Sequence, residues 1–292
     1  MKKRKIPVRR LVIGILIIYF ISIIVIGELY FSLSRKRDYP ITPEEFGVTK
    51  IELEYESGKK IISWLKTSNS SHLIIVVHGH FDNSCHMFDR YIPIFINLGL
   101  DVLSIDLRNH GLSDSIKPIT YGFKEADDIT LVSSWVTEQN RWTKVTIFGT
   151  SMGAVAALIS ASDNPDTFDG LILDSIFLDL RETLKRSLHK RYLPEFLYFN
   201  PLKFYLDQRY KSYDFSIDQF PNLLELLEEL SKEKPILVVR GSLDQEISES
   251  DFQKIIEIGN NLNGLIIEGA QHSRLHDSLQ FINEVGGWLE AI

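Results

Sequence analysis

The sequence predicts an α/β fold, a mostly parallel sheet between two layers of helices, preceded by a membrane-spanning helix. Three observations carry this reading. Short, nearly pure apolar runs rich in valine and isoleucine recur between Leu73 and Ile267, the pattern of strands buried on both faces. Helix-length amphipathic stretches separate them, and strand–helix alternation builds a parallel sheet covered on both sides. One long apolar run, Leu11 to Phe31, stands ahead of everything else.

That run is interrupted only by Gly14, Ser22, Gly27 and Glu28. As a helix it reaches roughly 30 Å, the thickness of the hydrocarbon core of a bilayer. Residues 1–10 form a basic tail (Lys2, Lys3, Arg4, Lys5, Arg9, Arg10), and only Arg35, Lys36 and Arg37 follow the run. This asymmetry places the N-terminus in the cytoplasm and the body outside the cell membrane. A cleaved signal peptide would have a shorter core and a small-residue cleavage site, for which Ser32-Leu33-Ser34 is a weak substitute. A helix in the core of a soluble domain has no need to be apolar all round. Residues 32–45 are polar and contain proline, and read as a linker.

The body, residues 46–292, opens with Ile51, Leu53 and Tyr55 alternating with Glu52, Glu54 and Glu56, a half-exposed strand. Ser57-Gly58 is a turn signal and Lys60–Thr67 returns as a second strand, making an antiparallel hairpin. Buried strands follow at Leu73–Val77, Val102–Ile105, Val145–Phe148, Leu171–Leu173, Ile236–Val239 and Leu265–Ile267. The intervening helices are predicted at Met87–Leu98, Phe123–Thr137, Met152–Ala161, Ser248–Glu257 and Leu279–Leu289. Residues 176–233 are too long for one crossover and rich in aromatics, so they read as a helical insertion over the sheet.

Composition narrows the function. The chain has 292 residues, 44% hydrophobic and 24% charged, which suits a globular body with a real core. Cys85 is the single cysteine, which excludes an internal disulfide and a four-cysteine zinc site. The net charge is −7, and residues 38–292 alone hold 23 basic and 38 acidic side chains. A body this acidic is repelled by phosphate backbones, so nucleic acid is not expected as a partner.

The chemistry sits at strand ends. Gly149-Thr150-Ser151-Met152-Gly153 joins a buried strand to a helix, and a serine on such a turn is held out of the sheet as a nucleophile. A serine hydroxyl needs a base. His272 lies just past the last strand, whereas His276 falls where the final helix should begin. A carboxylate must then orient the histidine. Asp244 follows Ile236–Val239 and gives the chain order Ser151, Asp244, His272; Asp174 is the runner-up, and Asp106 reads as a structural partner of the loop Arg108–Gly111. The oxyanion requires two backbone donors, for which the amides of Met152 and His80 are chosen, with Phe81 the neighbouring alternative. His78, His80, Cys85 and His86 match no usual zinc spacing, so no metal is expected.

Taken together, His78-Gly79, Asp106-Leu107-Arg108-Asn109-His110-Gly111-Leu112-Ser113, Gly149–Gly153, Gly241-Ser242-Leu243-Asp244 and His272 resemble the α/β-hydrolase superfamily. The likeness is to its serine aminopeptidase-like and monoglyceride-lipase-like members and covers residues 46–292. The second block departs from the usual Asp-x-Arg-Gly-x-Gly, because Asn109-His110 replaces the first glycine. The resemblance implies the α/β-hydrolase sandwich, a lid made by residues 176–233, and neither metal nor cofactor. The expected protein is a membrane-anchored serine hydrolase acting on a small-molecule or lipid-like ester. A peptidase on the same three residues, or a catalytically silent scaffold, would share the fold. Sequence does not distinguish the first two, nor does it give the oligomeric state.

Overall fold

The computed structural model describes residues 8–32, 46–116 and 118–292. Most of the basic tail (residues 1–7) and nearly all of the expected linker (residues 33–45, with Arg35, Lys36 and Arg37) lie outside the described residues. The described residues fall into two compact units: residues 8–32 with 181–220, and the remainder.

The larger unit holds one eight-stranded sheet. Its strands are β1 (Thr49–Glu54), β2 (Lys60–Lys66), β3 (His72–Val77), β4 (Asp101–Asp106), β5 (Lys144–Thr150), β6 (Gly170–Asp174), β7 (Ile236–Gly241) and β8 (Leu262–Ile267), in the order β1-β2-β4-β3-β5-β6-β7-β8. The hairpin pairs Glu54 with Lys60 around Ser57-Gly58, and β2 is also antiparallel to β4. The other pairings are parallel. The fold is the expected three-layer α/β sandwich.

Burial explains the apolar runs. Leu73, Ile74, Ile75, Val76 and Val77 of β3 are wholly buried. Such side chains contribute about 1.5–3 kcal/mol each when removed from water. Period-2 alternation sends Ile74 and Val76 to one face, where they join Trp64, Phe148, Ile172 and Val239 in a cluster. That cluster is covered by Phe88 of α2 (Ser84–Arg90), Phe95 of α3 (Ile92–Asn97), and Phe281 and Val285 of α10 (Leu279–Ala291). The opposite face is covered by α5 (Met152–Asp163), which packs on both α4 (Glu125–Glu138) and α8 (Leu223–Ser231), with α9 (Glu249–Ile256) beyond α8.

Two predicted elements differ. Met87–Leu98 is not one helix but two, broken at Tyr91. Pro93 has no N–H to give and its ring clashes with the carbonyl four residues back, so the helix restarts with the proline in its first turn. The insertion is also shorter than residues 176–233, since Pro221–Ile292 belong to the larger unit. Leu223, Leu227 and Leu230 of α8 repeat at helical spacing and are buried, making α8 part of the crossover from β6 to β7.

The smaller unit joins α1 (Val8–Ser32) to α6 (Leu180–Lys190) and α7 (Glu195–Tyr210). Over residues 8–31, α1 is long and apolar enough to cross a membrane. Its second half does not stand apart from the insertion. Tyr19 donates to the Leu197 carbonyl, Glu28 pairs with Tyr205 and Arg209, and Phe31 packs on Tyr210. These pairs advance along both helices together, so α1 and α7 run parallel.

The topology fixes where a site can form. From β3 the chain moves outward to β4, then returns to place β5 on the other side of β3. Where strand order reverses, the loops after the two strands part and leave a crevice at their carboxyl ends. Here those loops begin at His78 and Ser151.

Candidate active site

Ser151 ends β5 and caps α5 with φ 52° and ψ −115°, a backbone that non-glycine residues rarely adopt. Close packing holds the turn in place. A Cβ on Gly149 would fall 2.5 Å from the Gly153 carbonyl oxygen, and one on Gly153 would fall 2.4 Å from that of His78. Neither position can carry a side chain. The strained turn lifts the Ser151 hydroxyl off the sheet, and α5 begins at Met152 with its positive dipole end towards it.

The structure brings Ser151, His272 and Asp244 together. His272 Nε2 lies 3.0 Å from Ser151 Oγ, and His272 Nδ1 lies 2.9 Å from Asp244 Oδ2. The carboxylate accepts only, so Nδ1 carries the proton and Nε2 is left bare towards the serine hydroxyl. Asp244 is 5% exposed, and its Oδ1 accepts the N–H groups of Glu246 (2.7 Å) and Ile247 (3.1 Å). Burial pushes the Asp244 carboxyl up, but the His272 bond and charge and these two amides outweigh it and hold it below its ordinary range. Burial alone would lower His272; the hydrogen bond and charge of Asp244 reverse that and raise it above 6.5.

The loop after β3 lies against the same turn. A Cβ on Gly79 would sit 3.4 Å from the Ser151 Cβ. The next residue, His80, is fixed by its ring, stacked on Phe81 at 4.2 Å, and by its carbonyl, which accepts from His110 Nε2 at 2.5 Å. Met152 is the first residue of α5 and is buried.

The other candidates have structural occupations. His78 Nε2 accepts the Leu107 N–H, so its Nδ1–H donates to the Gly79 carbonyl; burial drives its ionisation down to about 3. His86 pairs with Asp82 at 2.5 Å. Asp106 accepts from Ser84 N, Leu112 N and Trp64 Nε1, so it does hold its own loop. Arg108 instead makes a two-pronged contact with the buried Asp128. Asn109 has φ 68°, a left-handed conformation that asparagine tolerates better than most residues. His276 packs edge-on against Tyr91.

Asp174 turns away from the histidine. Its carboxylate accepts from Tyr91 Oη and Ser175 Oγ, both at 2.7 Å, while its carbonyl accepts the Ser151 N–H at 2.8 Å. Ser175 has φ 56° and Ser273, beside His272, has φ 50°. Sequence reasoning weighed Asp174 but missed Tyr91 and Ser175. The helix break at Pro93, which sets the buried Tyr91 at the joint between α2 and α3, is the available signal.

Comparison with known proteins agrees with this fold. A family described as the alpha/beta hydrolase fold matches residues 72–192. The chain has the alpha/beta hydrolase fold. An uncharacterized protein of Bacillus subtilis, YqkD, is 32% identical over 206 residues, covering 68% of this hydrolase-fold chain. The match spans 64% of that relative, under two thirds of its length. An uncharacterized membrane protein of Saccharomyces cerevisiae is 25% identical over 236 residues, covering 80% of this chain and 76% of that one. Among solved structures, the Pyrococcus furiosus esterase Pf2001 superposes with a TM-score of 0.72 at 22% identity, covering 89% of this chain and 98% of the esterase.

Proposed function

We propose that this chain is a membrane-anchored serine hydrolase that cleaves a carboxylic ester through an acyl-enzyme on Ser151. The hydrogen-bonded series Ser151–His272–Asp244 carries the reading. His272 Nε2 takes the Ser151 proton as Oγ attacks the ester carbonyl carbon. Asp244 holds the ring in the required tautomer and stabilises the imidazolium. The carbonyl oxygen becomes an oxyanion received by the amides of Met152 and His80. Collapse breaks the ester C–O bond, and His272 returns the proton to the departing alcohol. Water, deprotonated by the same nitrogen, then attacks the acyl-enzyme and releases the acid.

Anchoring through residues 11–31 is supported by the length and apolar character of α1. The yeast relative's description as a membrane protein supports it too. With the basic tail in the cytoplasm, the catalytic unit lies outside. A tethered site meets lipid-like esters at high local concentration, which makes them the favoured substrate class. The Pyrococcus esterase, as a fold neighbour, is compatible with ester chemistry.

The test is labelling of the detergent-solubilised full chain by a fluorophosphonate probe, followed by hydrolysis of p-nitrophenyl esters of graded chain length. Labelling at Ser151 with turnover rising towards longer acyl chains is expected. Absence of labelling in the folded protein supports the scaffold instead, and release of amino acids from peptides without ester cleavage supports a peptidase. Membrane extraction by alkaline carbonate would disprove the anchor.

A further inference from the structure

The base-bearing loop is pinned on both sides of Arg274 by two hydroxyls. The Ser273 N–H donates to Ser175 Oγ at 3.2 Å, and the Leu275 N–H donates to Tyr91 Oη at 3.3 Å. Both hydroxyls face the same carboxylate. Tyr91 donates its proton to Asp174 Oδ2 and Ser175 donates its proton to Oδ1, each at 2.7 Å. Asp174 is fully buried at the end of β6, and its backbone carbonyl accepts the Ser151 N–H. One residue therefore touches the nucleophile turn through its main chain and the base loop through two intermediaries.

The direction of each proton decides whether this arrangement holds. An ionised carboxylate only accepts, so both hydroxyl protons must point at it. Each hydroxyl then offers a lone pair to the loop amide behind it. Protonate Asp174, or replace it by asparagine, and one carboxylate position becomes a donor. The facing hydroxyl must turn, and its proton then meets the N–H of Ser273 or Leu275. A buried amide loses its acceptor and the loop carrying His272 loosens.

We propose that Asp174 is a positioning residue: its ionised carboxylate orients the hydroxyls of Tyr91 and Ser175, and through them holds residues 272–275 in register with Ser151. This rests on the serine-hydrolase reading above. Asp174 makes no contact with substrate and is not the acid of the triad, because its oxygens are occupied by the two hydroxyls. The groups that bear on it are Tyr91 from the α2–α3 joint, Ser175 from its own strand end, His272 from the β8–α10 loop and Asp244 from the β7–α9 loop. Arg90 and the His276 ring act on it through Tyr91. Burial moves its ionisation up from 3.8 to about 6, against the opposing pull of the two hydroxyls. The device is therefore set within the range where a small acidification disarms it.

The test uses the full chain in detergent with p-nitrophenyl butyrate. Asp174→Asn should lower kcat about tenfold, the effect of one lost hydrogen bond on a barrier, with KM nearly unchanged. The acid limb of the pH–rate profile supplies the readout that a merely structural role would not move. In the parent protein two groups, His272 and Asp174, must both be ionised correctly, so the limb is steeper than one proton allows; in Asp174→Asn it relaxes to a single-proton slope. Should Asp174→Asn fail to fold, Tyr91→Phe and Ser175→Gly each delete one amide acceptor, and the glycine suits φ 56°. Each should lower kcat by a similar factor. Parent-like kcat in these variants, or an unchanged slope in Asp174→Asn, overturns the proposal. A parent protein that neither labels nor hydrolyses fails the underlying reading before any variant is compared, so the two failures are told apart.

Discussion

Ser151 and His272 are separated by 121 positions in the chain and by 3.0 Å between Oγ and Nε2. Only the sheet brings them together: Ser151 leaves the end of β5, and His272 follows the end of β8, three strands away in the sheet. The long loop after β8 closes that distance, and the hydrogen bonds at Ser273 and Leu275 fix it.

Removing the proposed nucleophile is the first prediction. Ser151→Ala should abolish fluorophosphonate labelling and lower kcat by about 10⁶, as in comparable triads. The substitution also takes away the hydroxyl facing His272 without touching the core, so the melting temperature should stay within a degree or two of the parent's. Turnover of a p-nitrophenyl ester at the parent rate would remove Ser151 from the mechanism.

In the proposed mechanism, Asp244 sets the working pH. Catalysis requires His272 to be neutral at Nε2, so activity falls as pH drops through the His272 ionisation, which stands above 6.5. Burial lowers that value and Asp244 more than restores it. Asp244→Asn keeps the shape but loses the charge, so the acid limb should move to lower pH while kcat falls by about 10⁴. A limb that stays in place would mean that the pair does not control this ionisation.

The candidate site is legible in the sequence where topology leaves little choice, and not where a side chain's own path decides. Glycines that cannot bear a Cβ mark the Ser151 turn, and buried apolar runs mark the strand ends from which Asp244 and His272 follow. Asp174 is the last residue of β6, whereas Asp244 lies three residues past the end of β7, so which of them meets the histidine depends on the path of the loop after β7. The break at Tyr91 is encoded in Pro93, but the bond from Tyr91 to Asp174 joins elements 83 positions apart and leaves no local trace. Hydropathy marks α1 as apolar without revealing that half of it packs on α7. Asn109 departs from the pattern as a letter, yet keeps its conformation, since φ 68° suits asparagine nearly as well as glycine.

A buried ion pair gives a stability prediction away from the chemistry. Arg108 is 7% exposed and Asp128 wholly buried, joined at 2.8 Å, with Tyr55 donating to Asp128 at 2.6 Å. Asp128→Ala strands a guanidinium without its counter-charge, which costs about 3–5 kcal/mol in such pairs. Urea titration of the solubilised chain should show the midpoint falling accordingly. A loss under about 1 kcal/mol would mean that Asp127, 3.4 Å from Arg108, takes over the charge.

Asp174 links stability to pH in the direction opposite to most surface acids. Its folded-state ionisation, about 6, lies above its ordinary 3.8 because burial disfavours the charge. A group shifted this way favours the folded state below its unfolded value and withdraws that contribution as pH rises through its folded value. The contribution is therefore full below about pH 4 and gone above about pH 6, and two pKa steps correspond to about 3 kcal/mol. Asp174→Asn lacks this dependence. Whatever offset its altered hydrogen bonds introduce, the melting temperature of the variant minus that of the parent should rise by several degrees between these two pH values and then level off. The same substitution is expected to impair turnover, so the ionised carboxylate opposes folding while it serves the base loop. A difference that stays flat across the window would show that Asp174 keeps one protonation state throughout, and the pH-dependent part of its positioning role would fall with it.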